Sequence, residues 1–141
     1  LWDSSVGTYR EVKRRGDEAG VVFIDEAQFF DDDLCNVVEA ITHGLERRVV
    51  AAGLNLDFRG ELFGSMPDLL ARANEVVSLS VVCVYEMNGG VCGQPAYFTQ
   101  RLVDGRPANY DDLIVLVGAR EDYSVRCGKH HEVPGRRIVS Y

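Results

Sequence analysis

No stretch of this sequence stays apolar long enough to cross a membrane as a helix. Its most apolar uncharged run, residues 76–85, is about half of the ~20 residues such a span needs. Residues 1–20 are dense in charge and hold no apolar run, so they do not read as a secretory signal. Positive charge is also scarce, with 15 Lys and Arg against 22 Asp and Glu and a net charge of −7. Tracking a phosphate backbone calls for the opposite balance. Neither a membrane nor nucleic acid is therefore an expected partner, and any nucleotide bound should be a small one held by local features. Low-complexity tracts and internal repeats are missing. So is a starting Met: the first twenty residues read as the interior of a longer chain, and an N-terminal truncation is the expectation.

What is present suits one compact domain, or one domain with a small appendage. The chain has 141 residues, 46% of them hydrophobic and 26% charged. Residues 4–19 are predicted helical, with Tyr9 and Val12 on a modest apolar stripe and Gly20 as the stop. Val21-Val22-Phe23-Ile24 reads as a buried strand of a parallel sheet that ends in Asp25-Glu26. Leu34, Val37, Val38, Ile41 and Leu45 then recur at helical spacing behind an acidic start at residues 31–33. Residues 49–53 read as a second buried strand, and strand–helix–strand defines an α/β class. A short helix at 68–74 and a third strand at 75–84 are expected to follow. After Cys83 the glycines multiply, short β-like runs occur at 96–103 and 114–117, and no helix is evident. This part reads as a small β-rich appendage with too little core to hold itself without a staple.

The four cysteines are Cys35, Cys83, Cys92 and Cys127. Without a secretory context, disulfides are not expected. Cys35 falls inside the second helix and reads as a small buried hydrophobe. Cys83, Cys92, Cys127 and His130 form a set of the kind that holds structural zinc in a tetrahedron. Cys127 and His130 have ordinary knuckle spacing. Cys83 and Cys92 are further apart than usual, with a turn signal, Asn88-Gly89-Gly90, between them.

An apolar strand ending in Asp-Glu is what a Walker B element requires. The first carboxylate helps hold Mg²⁺ on a triphosphate, and the second can orient or deprotonate a nucleophile. Both would lie at the carboxyl edge of the sheet, where open α/β sheets bind ligands. The partner motif G-x-x-x-x-G-K-[ST] does not occur in these residues. A second segment, GLNLDFRGELFG at 53–64, follows the second strand, and its Leu54, Phe58 and Phe63 could wall a flat apolar pocket.

IDEAQFF, the L-x-x-D-F-x-x-x-x-F loop, CG-x-x-A-x-x-T-x-R and VG-x-x-E-x-Y-x-x-RC-x-x-H stand in this order over residues 20–135. Together they resemble the zinc-containing cellular (type II) thymidine kinases. The resemblance implies a partial P-loop NTPase (RecA-like) core over 1–82, the Walker B half, and a β-rich zinc lasso subdomain over 83–141. It implies transfer of the γ-phosphoryl of ATP to the 5′-hydroxyl of thymidine, or of deoxyuridine, in deoxynucleotide salvage. Glu26 matches the general base, and Asp25 the carboxylate toward Mg-ATP, with Gln28 and Arg101 also placed toward the nucleotide. Phe29, Leu54, Phe58 and Phe63 match the apolar wall around the nucleoside. Thr99, Ile114, Leu116, Gly118 and Tyr123 match the lasso that reads the thymine edge. Cys83, Cys92, Cys127 and His130 match the zinc ligands, with His131 as the adjacent alternative. The resemblance further implies a cytoplasmic homotetramer inhibited by thymidine triphosphate. Because the phosphate cradle is missing, the chain alone is expected to be nearly inactive.

Two other classes fit parts of the sequence. One is a non-catalytic α/β and zinc-ribbon interaction module or pseudo-enzyme. The other is a helicase-type ATPase, suggested by Asp25-Glu26-Ala27-Gln28 and opposed by the net negative charge.

Overall fold

The computed structural model describes residues 5–15, 20–114 and 121–137. It is a mixed α/β structure with small sheets, and it divides into two compact units. The first comprises residues 1–55 and 62–76, and the second residues 56–61 and 77–141. Among the described residues no helix is long and apolar enough to cross a membrane.

In the first unit, helix α1 (Ser5–Arg15) precedes strand β1 (Val21–Ile24); residues 16–19 of the expected helix lie outside the described residues. Helix α2 (Leu34–Glu39) continues into a wider turn, Ala40–Gly44, where the Leu45 amide reaches back to Ala40. The Thr42 hydroxyl donates to the Val38 carbonyl at 2.9 Å, a back-bond of the kind that loosens helical winding. Strand β2 (Arg48–Ala51) returns parallel to β1, with Val21 opposite Arg48 and Ile24 opposite Ala51. The strand–helix–strand reading therefore holds. Helix α3 (Met66–Arg72) has Pro67 and Asp68 in its first turn and Arg72 in its last, an order that suits the helix dipole.

One apolar cluster holds this unit together. Val22 and Ile24 from β1 meet Leu34, Val37 and Ile41 from the second helical segment and Met66 and Leu69 from α3. Tyr9 and Val12 pack against it from α1. The expectation that both strands are buried on both faces is corrected here. Only alternate residues of β1 face the core, and Phe23 is 76% exposed, because the helices cover one side of the pair. On β2, Val50 is likewise exposed.

The expected strand at 75–84 shrinks to β3 (Val81–Val82). A run of β-branched residues becomes a strand only where a neighbour pairs with it. The one found here is β6 (Pro95–Ala96), antiparallel and within the second unit. Val77 and Leu79 stay largely exposed.

The second unit is built from short pieces. Strands β4 (Glu86–Met87) and β5 (Gly90–Val91) form a hairpin that turns through Asn88-Gly89, with Gly89 at φ 97°. Strand β7 (Phe98–Val103) pairs on one side with β8 (Arg106–Pro107). On the other it pairs with β9 (Glu121–Arg126), Phe98 standing opposite Arg126 and Val103 opposite Glu121. Asp104 and Gly105 both take positive φ in the β7–β8 turn, the left-handed pair that a tight Asp-Gly hairpin needs. The β-like run at 114–117 is not a strand at Ile114, and 115–117 lie outside the described residues. Among the described residues no helix follows Cys83, as expected.

The first unit depends on side chains that no water reaches. Replacing Ile41, which is fully buried, with Ala should destabilise the chain by about 2–5 kcal/mol through lost burial and the cavity left behind. Urea unfolding measures this, and a loss under about 1 kcal/mol would contradict the packing described.

Candidate functional site

Asp25 and Glu26 leave the end of β1 exposed to solvent. Glu26 sits at φ 50° and ψ 44°, a left-handed conformation uncommon for a residue with a side chain. Its amide donates to Asp25 Oδ1 at 2.9 Å. Beyond it, the Ala27 amide donates to the Ala52 carbonyl at 2.9 Å, which fastens this turn to the end of β2. Strained backbone of this kind collects where a side chain must be aimed.

Gln28 does the aiming. It is 3% exposed, and both ends of its amide are used. Its Nε2 donates to Glu26 Oε2, and its Oε1 accepts the Leu54 amide at 3.0 Å. One buried side chain thus joins the Glu26 carboxylate to the loop that follows β2. Gln28 was expected toward the nucleotide; in the structure its amide is bonded to Glu26 and Leu54. Two glycines make room for it. A Cβ on Gly53 would lie 2.4 Å from Gln28 Oε1, and one on Gly64 would lie 2.2 Å from the Gln28 carbonyl oxygen. Nothing local in the sequence marks these two glycines, since the atoms they accommodate come from a distant turn. Phe29 and Phe63, both half-buried, meet edge to face with ring centroids 5.3 Å apart. Leu54, 45% exposed, lies in the same unit.

In the second unit, the Cys83, Cys92, Cys127 and His130 ligand atoms all lie within 4.8 Å of one another. The sulfurs of Cys92 and Cys127 are 4.0 Å apart, and His130 Nδ1 is 3.6 Å from the Cys83 sulfur and 3.5 Å from that of Cys127. A tetrahedral centre with bonds of ~2.3 Å to sulfur and ~2.0–2.1 Å to nitrogen needs edges of about 3.8 Å and about 3.6 Å. These three separations are close to those edges and the other pairs lie within 4.8 Å, so the four side chains could hold a metal ion; the four cysteines are free of disulfides. The wide Cys83–Cys92 spacing is absorbed by the β4–β5 hairpin. The Cys92 amide donates to the Tyr85 carbonyl at 2.9 Å, and that of Gly93 to the Cys83 carbonyl at 2.9 Å. The Cys127–His130 turn closes with the His130 amide on the Cys127 carbonyl at 3.0 Å.

The electrostatics also suit a cation. Burial alone would raise the Cys83 thiol. Hydrogen bonds from the Cys127 and Tyr85 backbone and from the His130 and Cys127 side chains outweigh it and lower the thiol to about 6. Cys92 moves up: the Gln94 backbone favours its thiolate, but burial and the Cys83 and Cys127 sulfurs oppose it more strongly. The cluster thus favours a thiolate at Cys83 and disfavours one at Cys92.

Two aromatic contacts missed in the sequence fix the histidines. Tyr85 stacks on His130 at 4.2 Å between centroids, and Phe98 stacks on His131 at 4.6 Å. His131 Nε2–H donates to the Phe58 carbonyl at 2.8 Å, so its ring is committed away from the cluster.

The remaining expected residues of this unit fall on the loop 56–61 and on the sheet. Phe58 is 4% exposed. Asp57, also buried, accepts the amides of Arg59 at 2.9 Å and Glu61 at 3.0 Å and shapes the turn. Thr99 is half-buried on β7 opposite Val125, and Tyr123 is 55% exposed on β9 opposite Arg101. Ile114 is 39% exposed. Leu116 and Gly118 lie outside the described residues. Arg101 was expected toward phosphate. It is 1% exposed, lies over the Phe58 ring at 5.1 Å, and donates to the Leu113 carbonyl, so its charge is withdrawn from solvent.

This arrangement defines a class: an α/β protein with paired carboxylates at a parallel-strand edge, an aromatic loop after the second strand and a β-rich unit whose Cys3His cluster could hold a metal. The thymidine kinase family model matches residues 4–131, so the chain belongs to the thymidine kinase family. It is 51% identical over 124 residues to a thymidine kinase of Coprothermobacter proteolyticus, a match that covers 88% of this chain. The chain spans 59% of that relative's length.

Gly64 tests the packing at the carboxylates directly. Substituting Ala at its positive φ, against the Gln28 backbone, should cost about 1–3 kcal/mol in urea unfolding. An unchanged midpoint would contradict the close approach.

Proposed function

We propose that this chain forms the carboxylate and lasso portions of an enzyme that transfers the γ-phosphoryl group of ATP to the 5′-hydroxyl of thymidine, with deoxyuridine as a second acceptor. The observation that carries this reading is the Glu26–Gln28 arrangement within a member of the thymidine kinase family. Glu26 is exposed at the strand edge, yet its direction is set by a buried amide and a left-handed backbone. A carboxylate so placed accepts the 5′-hydroxyl proton as the oxygen attacks phosphorus. Asp25, beside it, offers a carboxylate to Mg²⁺, which when bound neutralises charge on the β- and γ-phosphates. Phe29, Leu54 and Phe63 supply apolar surface for the nucleoside, and Phe58, buried in the loop 56–61, is assigned to the nucleoside by the family resemblance. Thr99, Ile114, Leu116, Gly118 and Tyr123 are assigned to the thymine edge, where hydrogen bonds to a buried base discriminate strongly against a wrong one.

The core over 1–82 is read as part of a P-loop NTPase fold, and 83–141 as the lasso. The phosphate cradle, absent from these residues, is assigned to another part of the protein, so this chain alone should phosphorylate thymidine poorly. Zinc is the metal proposed for Cys83, Cys92, Cys127 and His130. A closed set of three thiolates and one imidazole leaves no open position, so its contribution is structural. A cytoplasmic location, a homotetramer and inhibition by thymidine triphosphate complete the proposal, on the strength of the family.

The test is Glu26→Gln in the full-length protein. Phosphorylation should fall roughly 10²–10⁴-fold, while calorimetry shows thymidine binding essentially retained. An unchanged rate would refute the assigned base and favour a non-catalytic binding module.

A further inference from the structure

The second unit holds a feature that the proposed chemistry does not use. Two arginines, Arg59 and Arg101, converge on one buried ring. Their guanidinium carbons lie 5.4 Å and 5.1 Å from the Phe58 centroid, and Arg59 also lies 5.2 Å from the centroid of Tyr110. Each then donates to a main-chain carbonyl of one short segment. Arg59 Nη2 reaches Asp112 at 2.8 Å, and Arg101 Nη1 reaches the next residue, Leu113. The Phe58 main chain is held separately by His131 at 2.8 Å.

Burying a guanidinium is costly unless its donors and its charge are met. Here one main-chain carbonyl takes a donor from each arginine, and the Phe58 face lies against both charges. A planar fork that stacks and donates at once is a property of arginine, which a lysine cannot reproduce. The Asp57 turn holds Arg59 in place: the carboxylate accepts the Arg59 amide, and its other oxygen is 3.9 Å from Arg59 Nε.

We propose that Arg59 and Arg101 are positioning residues for nucleoside binding: they clasp the Phe58 ring to the carbonyls of Asp112 and Leu113, fixing Phe58 and the start of the segment that runs to Ile114 as one piece. The inference rests on the thymidine-kinase reading for its ligand, but not for its geometry. It identifies neither arginine as a catalytic residue.

Arg101→Lys and Arg59→Lys, made in the full-length protein, test it. Both keep the charge and lose the fork. Hydrogen exchange at residues 109–114 should quicken at least 10-fold in each, with the metal content unchanged. The KM for thymidine should rise about 10-fold, by more than kcat falls, and the KM for ATP should hold. Exchange and KM at wild-type values in both variants would overturn the clasp, as would faster exchange with an unaltered thymidine KM. If the unsubstituted protein fails to phosphorylate thymidine, the functional reading falls, and the exchange rates still decide whether the clasp exists. An equal loss of kcat and of both KM values' discrimination, accompanied by loss of metal, would show a general structural role instead and also overturn the proposal.

Discussion

The second unit depends on one constraint, the convergence of Cys83, Cys92, Cys127 and His130. Its buried apolar cluster is little more than three of its own prospective ligands, with Cys83, Ala96 and Cys127 inside and Cys92 and Val125 packed against them. Several of its strands are two residues long. Pieces that short bury too little surface to offset the entropy of ordering them. The proposed metal would cross-link them at a point, and its four ligand atoms already lie within 4.8 Å of one another. The β4–β5 hairpin, the Cys127–His130 turn and the ring of Tyr85 on His130 all serve to bring four atoms together.

The first unit solves a different problem. A parallel strand pair with helices on one side presents its carboxyl edge, and a functional carboxylate there must be both exposed and directed. Exposure comes from the strand ending at Ile24; direction comes from Gln28, which is buried and bonded at both ends. The cost is a left-handed Glu26 and two glycines, Gly53 and Gly64, that cannot grow a side chain without meeting Gln28. The same side chain that aims Glu26 also anchors Leu54, so the proposed base and the start of the aromatic loop share one support.

Much of this was legible in the sequence. The periodicity of Leu34, Val37 and Ile41 marked the second helix, and the runs at 21–24 and 49–53 marked a parallel pair. The knuckle spacing chose His130 over His131, and Asn88-Gly89-Gly90 marked the turn that restores Cys92 to its place. Other features depend on partners that a linear reading does not supply. The β-branched run at 75–84 looked like a strand throughout, yet only Val81 and Val82 found a neighbour. Arg101 was read toward phosphate from its charge, and its burial against the Phe58 ring is not something residue type reveals. Phe23 looked like core because its neighbours were apolar; its exposure follows from which face the helices cover. The roles of Gly53, Gly64 and Tyr85 come from contacts with residues far along the chain.

The account turns most on the metal centre, since the whole second unit is argued to rest on it. X-ray absorption at the zinc edge, taken on the purified protein with its metal content, addresses this directly. The expected result is one zinc per chain bound by three sulfurs and one nitrogen. A protein that is folded in this region yet holds no metal, or holds it through a different set of atoms, would contradict the account.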